Sequence, residues 1–118
     1  MTGKPARKDD KARKDPPDIF RAAREDDLYE LQLALQDGQS LRGGNLHTGL
    51  TPVHVAAMRG SVNFIRAAME YDPEAAWIQD NQLRMPFNHA AVRRDRQSMA
   101  YLHNAMYPEA PIPIPEKQ

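Results

Sequence analysis

One stretch of the chain decides the expected fold, and it reads Gly49-Leu50-Thr51-Pro52-Val53-His54-Val55-Ala56-Ala57-Met58-Arg59-Gly60. Thr51 is a good helix N-cap, because its side-chain oxygen can accept a backbone N–H. Pro52 suits the first helical position, where a missing N–H costs nothing. Val53, Ala56 and Ala57 then fall on one face of a helix. The stretch therefore predicts a short helix that begins at Pro52.

A second helix is expected directly after the first. Gly60 ends the first helix, because glycine readily takes the left-handed conformation that closes helices. Apolar residues at helical spacing then follow at Val62, Ile65, Ala68 and Met69. Asp72-Pro73 ends the second helix, since a residue before proline avoids the helical region. Together the two helices form a helix–turn–helix unit.

This unit recurs with a fixed period. The alanine pairs Ala22-Ala23, Ala56-Ala57 and Ala90-Ala91 are each 34 residues apart (56 − 22 and 90 − 56). Further positions keep this register: Leu31, Ile65 and Met99; Pro52 and Pro86; Val53 and Phe87. A period of this size is typical of a solenoid, in which each supersecondary unit packs on its neighbour. The pattern predicts an all-α stack of three helix pairs.

The stretch from Gly49 to Gly60 resembles the ankyrin repeat signature, Gly-x-Thr-Pro-Leu-His-x-Ala-Ala-x-x-Gly. The copy from Leu83 to Ala91 is degraded, with Leu83 in place of the turn glycine and Met85 in place of the capping threonine. The first copy keeps only the later half of the pattern, as in a capping repeat. The resemblance covers about residues 18–107. It implies three helix–turn–helix repeats, at about 18–45, 46–79 and 80–107, joined by inter-repeat hairpin loops.

Both ends of the chain differ in composition from the middle. Residues 1–17 are rich in Lys, Arg, Asp and Pro and lack large apolar residues after Met1, which predicts disorder. Residues 108–118 carry alternating prolines, which exclude a helix and favour an extended form. Two roles for this Pro-rich tail stay open. It either covers the last repeat with Ile112 and Ile114, or docks in an aromatic-lined groove of a partner.

Composition narrows the functional classes. The formal net charge is zero, which argues against a protein dominated by nucleic-acid or anionic-membrane binding. No cysteine is present, so disulfides, thiolate catalysis and cysteine-ligated zinc are excluded. Neither a signal peptide nor a long apolar run is seen, and we expect a soluble, cytoplasmic protein. No catalytic motif or phosphate-binding glycine loop occurs, so we predict no enzyme activity, no cofactor and no metal site.

Several residues are assigned structural roles. They are Thr51, Pro52, His54, Ala56, Ala57, Gly60 and Pro86. The resemblance implies that His54 ties adjacent repeats together through hydrogen bonds, whereas His89 is expected to face outward. The adjacent pair Asp26-Asp27 is interpreted as a solvated acidic turn. Trp77 is interpreted as packing under a loop or, alternatively, as an anchor for a partner.

The resemblance also implies a surface for a protein partner. In ankyrin stacks the inter-repeat hairpin tips and the exposed positions of the first helices line a concave face, and partners usually bind there. Carried onto this sequence, the predicted binding surface consists of Arg24, Glu25, His47, Thr48, Leu50, Met58, Arg59, Asn81, Gln82, Arg84, Val92 and Arg93. Arginine is frequent at interfaces because its guanidinium pairs bidentately and stacks.

The leading hypothesis is a stand-alone protein-binding module, an adaptor or an inhibitor of one protein partner, and a monomer is favoured. The alternative is association with nucleic acid, which the sequence disfavours because aspartates interrupt the basic tail. Its residues would be Lys4, Arg7, Lys8, Lys11, Arg13 and Lys14 together with Arg93, Arg94 and Arg96. Steep weakening by salt would distinguish phosphate binding from protein binding.

Overall fold

The computed structural model describes residues 15–116, and helices make up more than half of these residues. The elements are α1 (Ile19–Glu25), α2 (Leu28–Gln36), α3 (Pro52–Arg59), α4 (Val62–Tyr71), a 3-10 helix (Pro73–Trp77), α5 (Pro86–Arg93) and α6 (Arg96–Met106). Within residues 15–116 there is no strand, so the predicted all-α class is confirmed. Residues 1–14 of the tail predicted to be disordered lie outside the described residues.

Local capping explains where most of these helices begin. The Asp18 carboxylate accepts the Phe20 N–H ahead of α1, and Asp27 accepts the Glu30 N–H ahead of α2. The Thr51 hydroxyl accepts the His54 N–H at α3, as the sequence predicts. Asp95 accepts the Ser98 N–H at α6. Each cap satisfies one of the N–H groups that a helix start leaves without a partner.

The two helices of each pair are joined by a tight turn through one residue in the left-handed region. Asp26 has φ 54°, Gly60 has φ 74° and Arg94 has φ 59°. The three positions are again 34 residues apart (60 − 26 and 94 − 60). Only Gly60 adopts this conformation without a steric cost. The turn geometry therefore follows the repeat register even where the residue type does not favour it.

The helix pairs stack in chain order. Contacts join α1 to α2, α3 to α4 and α5 to α6, and α3 lies between α1 and α5. The alanine pairs let these helices approach, since Ala22, Ala23, Ala56, Ala57 and Ala90 are completely buried. Ala91 is exposed, so the third pair is only half buried. Larger buried side chains fill the space between the second helices, among them Phe64, Ile65 and Leu102.

The connection between the second and third helix pairs is more ordered than the sequence suggests. Asp72 ends α4, as predicted, but Pro73–Trp77 then form a 3-10 helix in a segment expected to be a loop. This helix contacts α4 and α6, and its Ala75 and Ala76 are completely buried. The described part of the chain contains no helix that is long and apolar enough to span a membrane.

Candidate functional site

The predicted binding surface begins with the ends of three neighbouring helices. Its residues here form the last turns of the first helices: Arg24 and Glu25 in α1, Met58 and Arg59 in α3, Val92 and Arg93 in α5. All six are exposed, and α3 contacts both α1 and α5. These six residues therefore lie in the last turns of three helices that neighbour one another in chain order.

The loop residues of the surface are held together by hydrogen bonds between successive loops. The Asn81 backbone N–H donates to the Thr48 carbonyl at 2.9 Å, and the Asn81 side-chain amide donates to the His47 carbonyl at 3.0 Å. His47, Thr48, Asn81, Gln82 and Arg84 are exposed, and Leu50 is half-buried. The two loops thus form one connected rim, which leads into the first turns of α3 and α5.

Two exposed leucines on these loops lie outside the predicted binding surface. Leu46 is 95% exposed and Leu83 is 73% exposed. Leu83 has φ 63°, a conformation that costs a non-glycine residue about 1–2 kcal/mol. The signal for Leu83 was present in the sequence, because Leu83 occupies the position of Gly49 one period later (83 − 49 = 34). Leu83 therefore places an apolar side chain in solvent.

The difference between Gly49 and Leu83 follows from what stands next to each. A Cβ atom on Gly49 would lie 2.5 Å from Asn81 Oδ1 and 2.7 Å from the Asn81 backbone nitrogen, and Gly49 has φ 76°. Only glycine therefore fits where one loop leans on the next. Leu83 belongs to the last of the two loops, so its side chain extends into solvent.

A buried histidine fixes the base of the rim. The His54 Nε2 lies 2.8 Å from the Arg84 carbonyl oxygen, which can only accept, so Nε2 carries the proton. The Nδ1 then accepts from the Thr51 backbone N–H and from the Thr51 hydroxyl. Burial of the imidazole lowers the pKa of His54, because the charged form would lose its hydration. His54 is thus a neutral link between the second and third helix pairs.

Asp80 forms a second buried hub beneath Arg84. Its side chain is 0% exposed, and burial by itself would raise the pKa of its carboxyl group. The backbone N–H of Arg84, the His89 ring and the Gln82 N–H all bond the charged form, however, and hold the pKa of Asp80 well below its usual range. The prediction that His89 faces outward is wrong. Its ring is only 8% exposed and bonds Asp80 Oδ2 through Nε2 at 3.1 Å.

His54, Asp80 and His89 also bring nitrogen and oxygen atoms within 4.8 Å of one another. Such a set can ligate a transition metal in principle. Both ring nitrogens of His54 are already hydrogen-bonded, as are both carboxylate oxygens of Asp80. A metal would have to replace these bonds in a buried position. The cluster therefore reads as the hydrogen-bonded support of the Arg84 loop.

The prediction that Asp26 and Asp27 form a solvated acidic turn is wrong. Asp26 Oδ1 accepts the backbone N–H of Phe64 at 2.6 Å, and Oδ2 accepts from the Asn63 amide at 3.0 Å. Asp27 caps its own helix, α2. Both aspartates are half-buried, and they serve as helix caps because the next helix pair brings unsatisfied N–H groups to Asp26.

Three arginines of the nucleic-acid hypothesis lie around one shallow hollow of about 370 Å³. Arg93, Arg94 and Arg96 are all exposed there. The same hollow is lined by the carboxylates of Asp26, Asp95 and Glu116. The basic side chains therefore face a mixed surface of both signs. The six basic tail residues of this hypothesis lie outside the described residues.

Trp77 is only partly covered by the rest of the molecule. It follows two buried alanines at the end of the 3-10 helix, yet remains 41% exposed. Its ring meets the Tyr107 ring edge-on, with the ring centroids 5.5 Å apart. Trp77 thus packs against the end of α6 while keeping part of its surface accessible.

A comparison with models of known protein families finds none that matches this chain, and a search of curated proteins likewise finds no match.

Proposed function

We propose that this chain is an ankyrin-type repeat protein that binds one protein partner through the predicted binding surface, extended by Leu46 and Leu83. The repeat signature and its period of 34 residues support the fold assignment. The stacking of three helix pairs in chain order supports it further. Under this proposal the molecule acts by binding its partner, either as an adaptor or as an inhibitor.

The observation that carries the proposal is the exposure of four apolar side chains, two on the loops and two in the last turns of α3 and α5. Leu46 is 95% exposed, Val92 85%, Leu83 73% and Met58 42%. They are interspersed with arginines and side-chain amides rather than with acidic residues alone. Protein interfaces combine apolar centres with arginine and polar groups. A protein partner would remove these side chains from water and offset the local strain at Leu83.

The surface is also largely pre-organised. Asn81 ties the two loops together, and Asp80 holds Arg84 through both its backbone N–H and its guanidinium. Arg93 donates to the Met58 carbonyl at 3.3 Å, which links two neighbouring helix ends. Groups that are already fixed lose less conformational entropy on binding. The arrangement favours recognition of a folded or peptide surface of defined shape.

The experiment is an affinity capture with the full chain immobilised, from the source in which the protein occurs. Bound proteins are identified by mass spectrometry at low and at moderate salt. We expect one stoichiometric protein that survives moderate salt. The double variant Met58→Ala and Arg59→Ala should lose it.

The matched control is the double variant Gln32→Ala and Gln36→Ala, which changes two exposed residues of α2 outside the surface. Circular dichroism checks that both variants keep the wild-type helix content. Capture that is unchanged in the Met58 and Arg59 variant would reject this surface. Capture of nucleic acid alone, lost as salt rises, would instead favour Arg93, Arg94 and Arg96 with the basic tail.

A further inference from the structure

The Pro-rich tail lies along α6 and is held there by side chains of that helix. The Asn104 amide donates to the Ile112 carbonyl at 2.9 Å and its oxygen accepts the Ile112 N–H at 2.8 Å. His103 Nε2 donates to the Ala110 carbonyl at 3.0 Å, and the Gln97 amide donates to the Pro115 carbonyl at 2.9 Å. The tail therefore runs antiparallel to α6, from the His103 end toward Gln97.

The spacing of these contacts matches an extended peptide to a helix. Gln97 and Asn104 are seven residues apart, which is about 10.5 Å along a helix axis. Their partners Pro115 and Ile112 are three residues apart, or about 9.3 Å in a polyproline-like form. Ala110, Ile112 and Ile114 each precede a proline, which restricts all three to extended conformations. The helix thus presents side chains at the repeat of an extended, proline-rich chain.

Every one of these hydrogen bonds goes to the main chain of the tail. The Asn104 amide pairs with both the N–H and the C=O of one residue, which fixes the register of an extended segment. None of the four contacts depends on which side chain the segment carries. The side of α6 that holds the tail therefore recognises a conformation, and other segments with the same conformation can satisfy it.

The chain's own tail fills this groove incompletely. An open hollow of about 540 Å³ remains, lined by Phe87 and Met99 on the helices and by Ile112, Pro113 and Pro115 of the tail. Ile112 itself is 43% exposed. Unfilled apolar space forfeits dispersion contacts. A segment with a larger apolar side chain at the Ile112 position would make more contacts than the tail does.

We propose that this groove, formed by Phe87, Gln97, Met99, Ala100, His103 and Asn104, binds an extended, proline-alternating peptide segment of a partner protein. The preferred segment has a large apolar residue where the tail has Ile112. The chain's own tail is the intramolecular competitor, present at the high effective concentration that a short linker gives. The groove shares no residue with the predicted binding surface, so the two proposals stand independently.

The test measures binding of fluorescein-labelled peptides by fluorescence anisotropy. One peptide has the native sequence of residues 108–118, and the other carries Ile112→Phe. The protein is the full chain in wild-type form and in a variant with Ile112→Asp and Ile114→Asp, which releases the tail. We expect the phenylalanine peptide to bind the released variant at least ten-fold tighter than wild type and several-fold tighter than the native-sequence peptide.

Adding Asn104→Ala to the released variant should weaken peptide binding at least ten-fold, whereas Gln36→Ala in the same background should leave it unchanged. A peptide of residues 108–118 that carries Ile112→Pro lacks the N–H that Asn104 accepts. It should bind the released variant as weakly as the unsubstituted peptide binds the Asn104→Ala variant. Should the released variant fail to fold, NMR of the wild-type chain with millimolar peptide replaces it. The Ile112 N–H and Asn104 amide signals should then shift as the peptide displaces the tail.

No peptide binding by a folded released variant would overturn the proposal, as would binding that ignores the Asn104 substitution. If the released variant does not fold, an NMR spectrum of the wild-type chain that stays unchanged at millimolar peptide would also overturn the proposal. A third outcome is that the wild-type chain forms dimers, that the native-sequence peptide dissociates them, and that the phenylalanine peptide binds no better. This outcome would assign the groove to the tail of a second copy and reject a separate partner.

Discussion

Individual buried polar residues set how this protein should respond to pH. Burial lowers the pKa of His54 from its ordinary value of 6.5. Between pH 6.5 and the lowered pKa of the folded state, His54 is therefore protonated in the unfolded chain but neutral in the folded chain. The free energy of unfolding should fall with falling pH in that window, by at most about 1.4 kcal/mol per pH unit from this one group. Chemical denaturation at pH 7.5, 6.0 and 5.0 measures it.

The variant His54→Gln separates this contribution from those of other groups. We expect it to be less stable than wild type at pH 7.5 but to lose less stability on going to pH 5.0. Asp80 contributes no slope in this range. Its pKa is held well below the usual range, so its share of the stability is lost only in stronger acid. Equal pH slopes in wild type and variant would contradict the role assigned to His54.

A second prediction at this scale concerns Gly49. The substitution Gly49→Ala places a Cβ against Asn81 and forces alanine into φ 76°, so we expect a loss of about 2–3 kcal/mol in unfolding free energy. Leu83→Gly, one period later, relieves strain where no further loop leans on the residue. It should leave stability unchanged or raise it by under about 1 kcal/mol. Thermal and urea denaturation of both variants tests the contrast, and a harmless Gly49→Ala would refute it.

At the scale of elements, one helix borrows its cap from the preceding pair. Ser61 stands at the N-cap of α4 but makes no capping bond, and its hydroxyl instead donates to the Ala23 carbonyl at 2.6 Å. Asp26 supplies the missing acceptor. Asp26→Ala should therefore lower the unfolding free energy by about 1–2 kcal/mol. Asp26→Asn keeps an acceptor and tolerates the left-handed turn, so urea denaturation should show a smaller loss. Equal losses of unfolding free energy in the two variants would show that the effect does not come from capping.

This borrowed cap also shows where prediction from sequence stops. The start at Pro52 and the ends at Gly60 and Asp72 are set by local chemistry, and the structure confirms them. Burial of Asp26, Asp80 and His89 depends on neighbours 9 to 38 residues away. A single sequence shows no pattern for such contacts, and both errors, at Asp26 and at His89, are of this kind. The exposure of Leu83 was foreseeable, since a leucine at a glycine position marks an unusual turn.

For the whole molecule, the tail completes the stack. It places Ile112, Pro113 and Pro115 against α6, which would otherwise end the array with an open side. Truncation after Tyr107 should keep the helical circular dichroism but reduce stability by about 1–2 kcal/mol, a fall of roughly 5–15 °C in melting temperature for a domain of this size. The three-residue deletion of Glu116–Gln118 serves as the control and should melt near wild type. An unchanged melting temperature after the longer truncation would show that the tail adds no stability.

The edge-on contact of Trp77 with Tyr107 gives the protein a built-in optical probe. Trp77 is the chain's single tryptophan, and Tyr107 is the last residue before Pro108 and the tail. Excitation at 295 nm thus reports on one indole, which lies beside the point where the tail begins. Detachment of the tail should alter the polarity around that indole and shift its emission. Stopped-flow mixing can therefore follow tail release in real time, in the unmodified chain and without a dye.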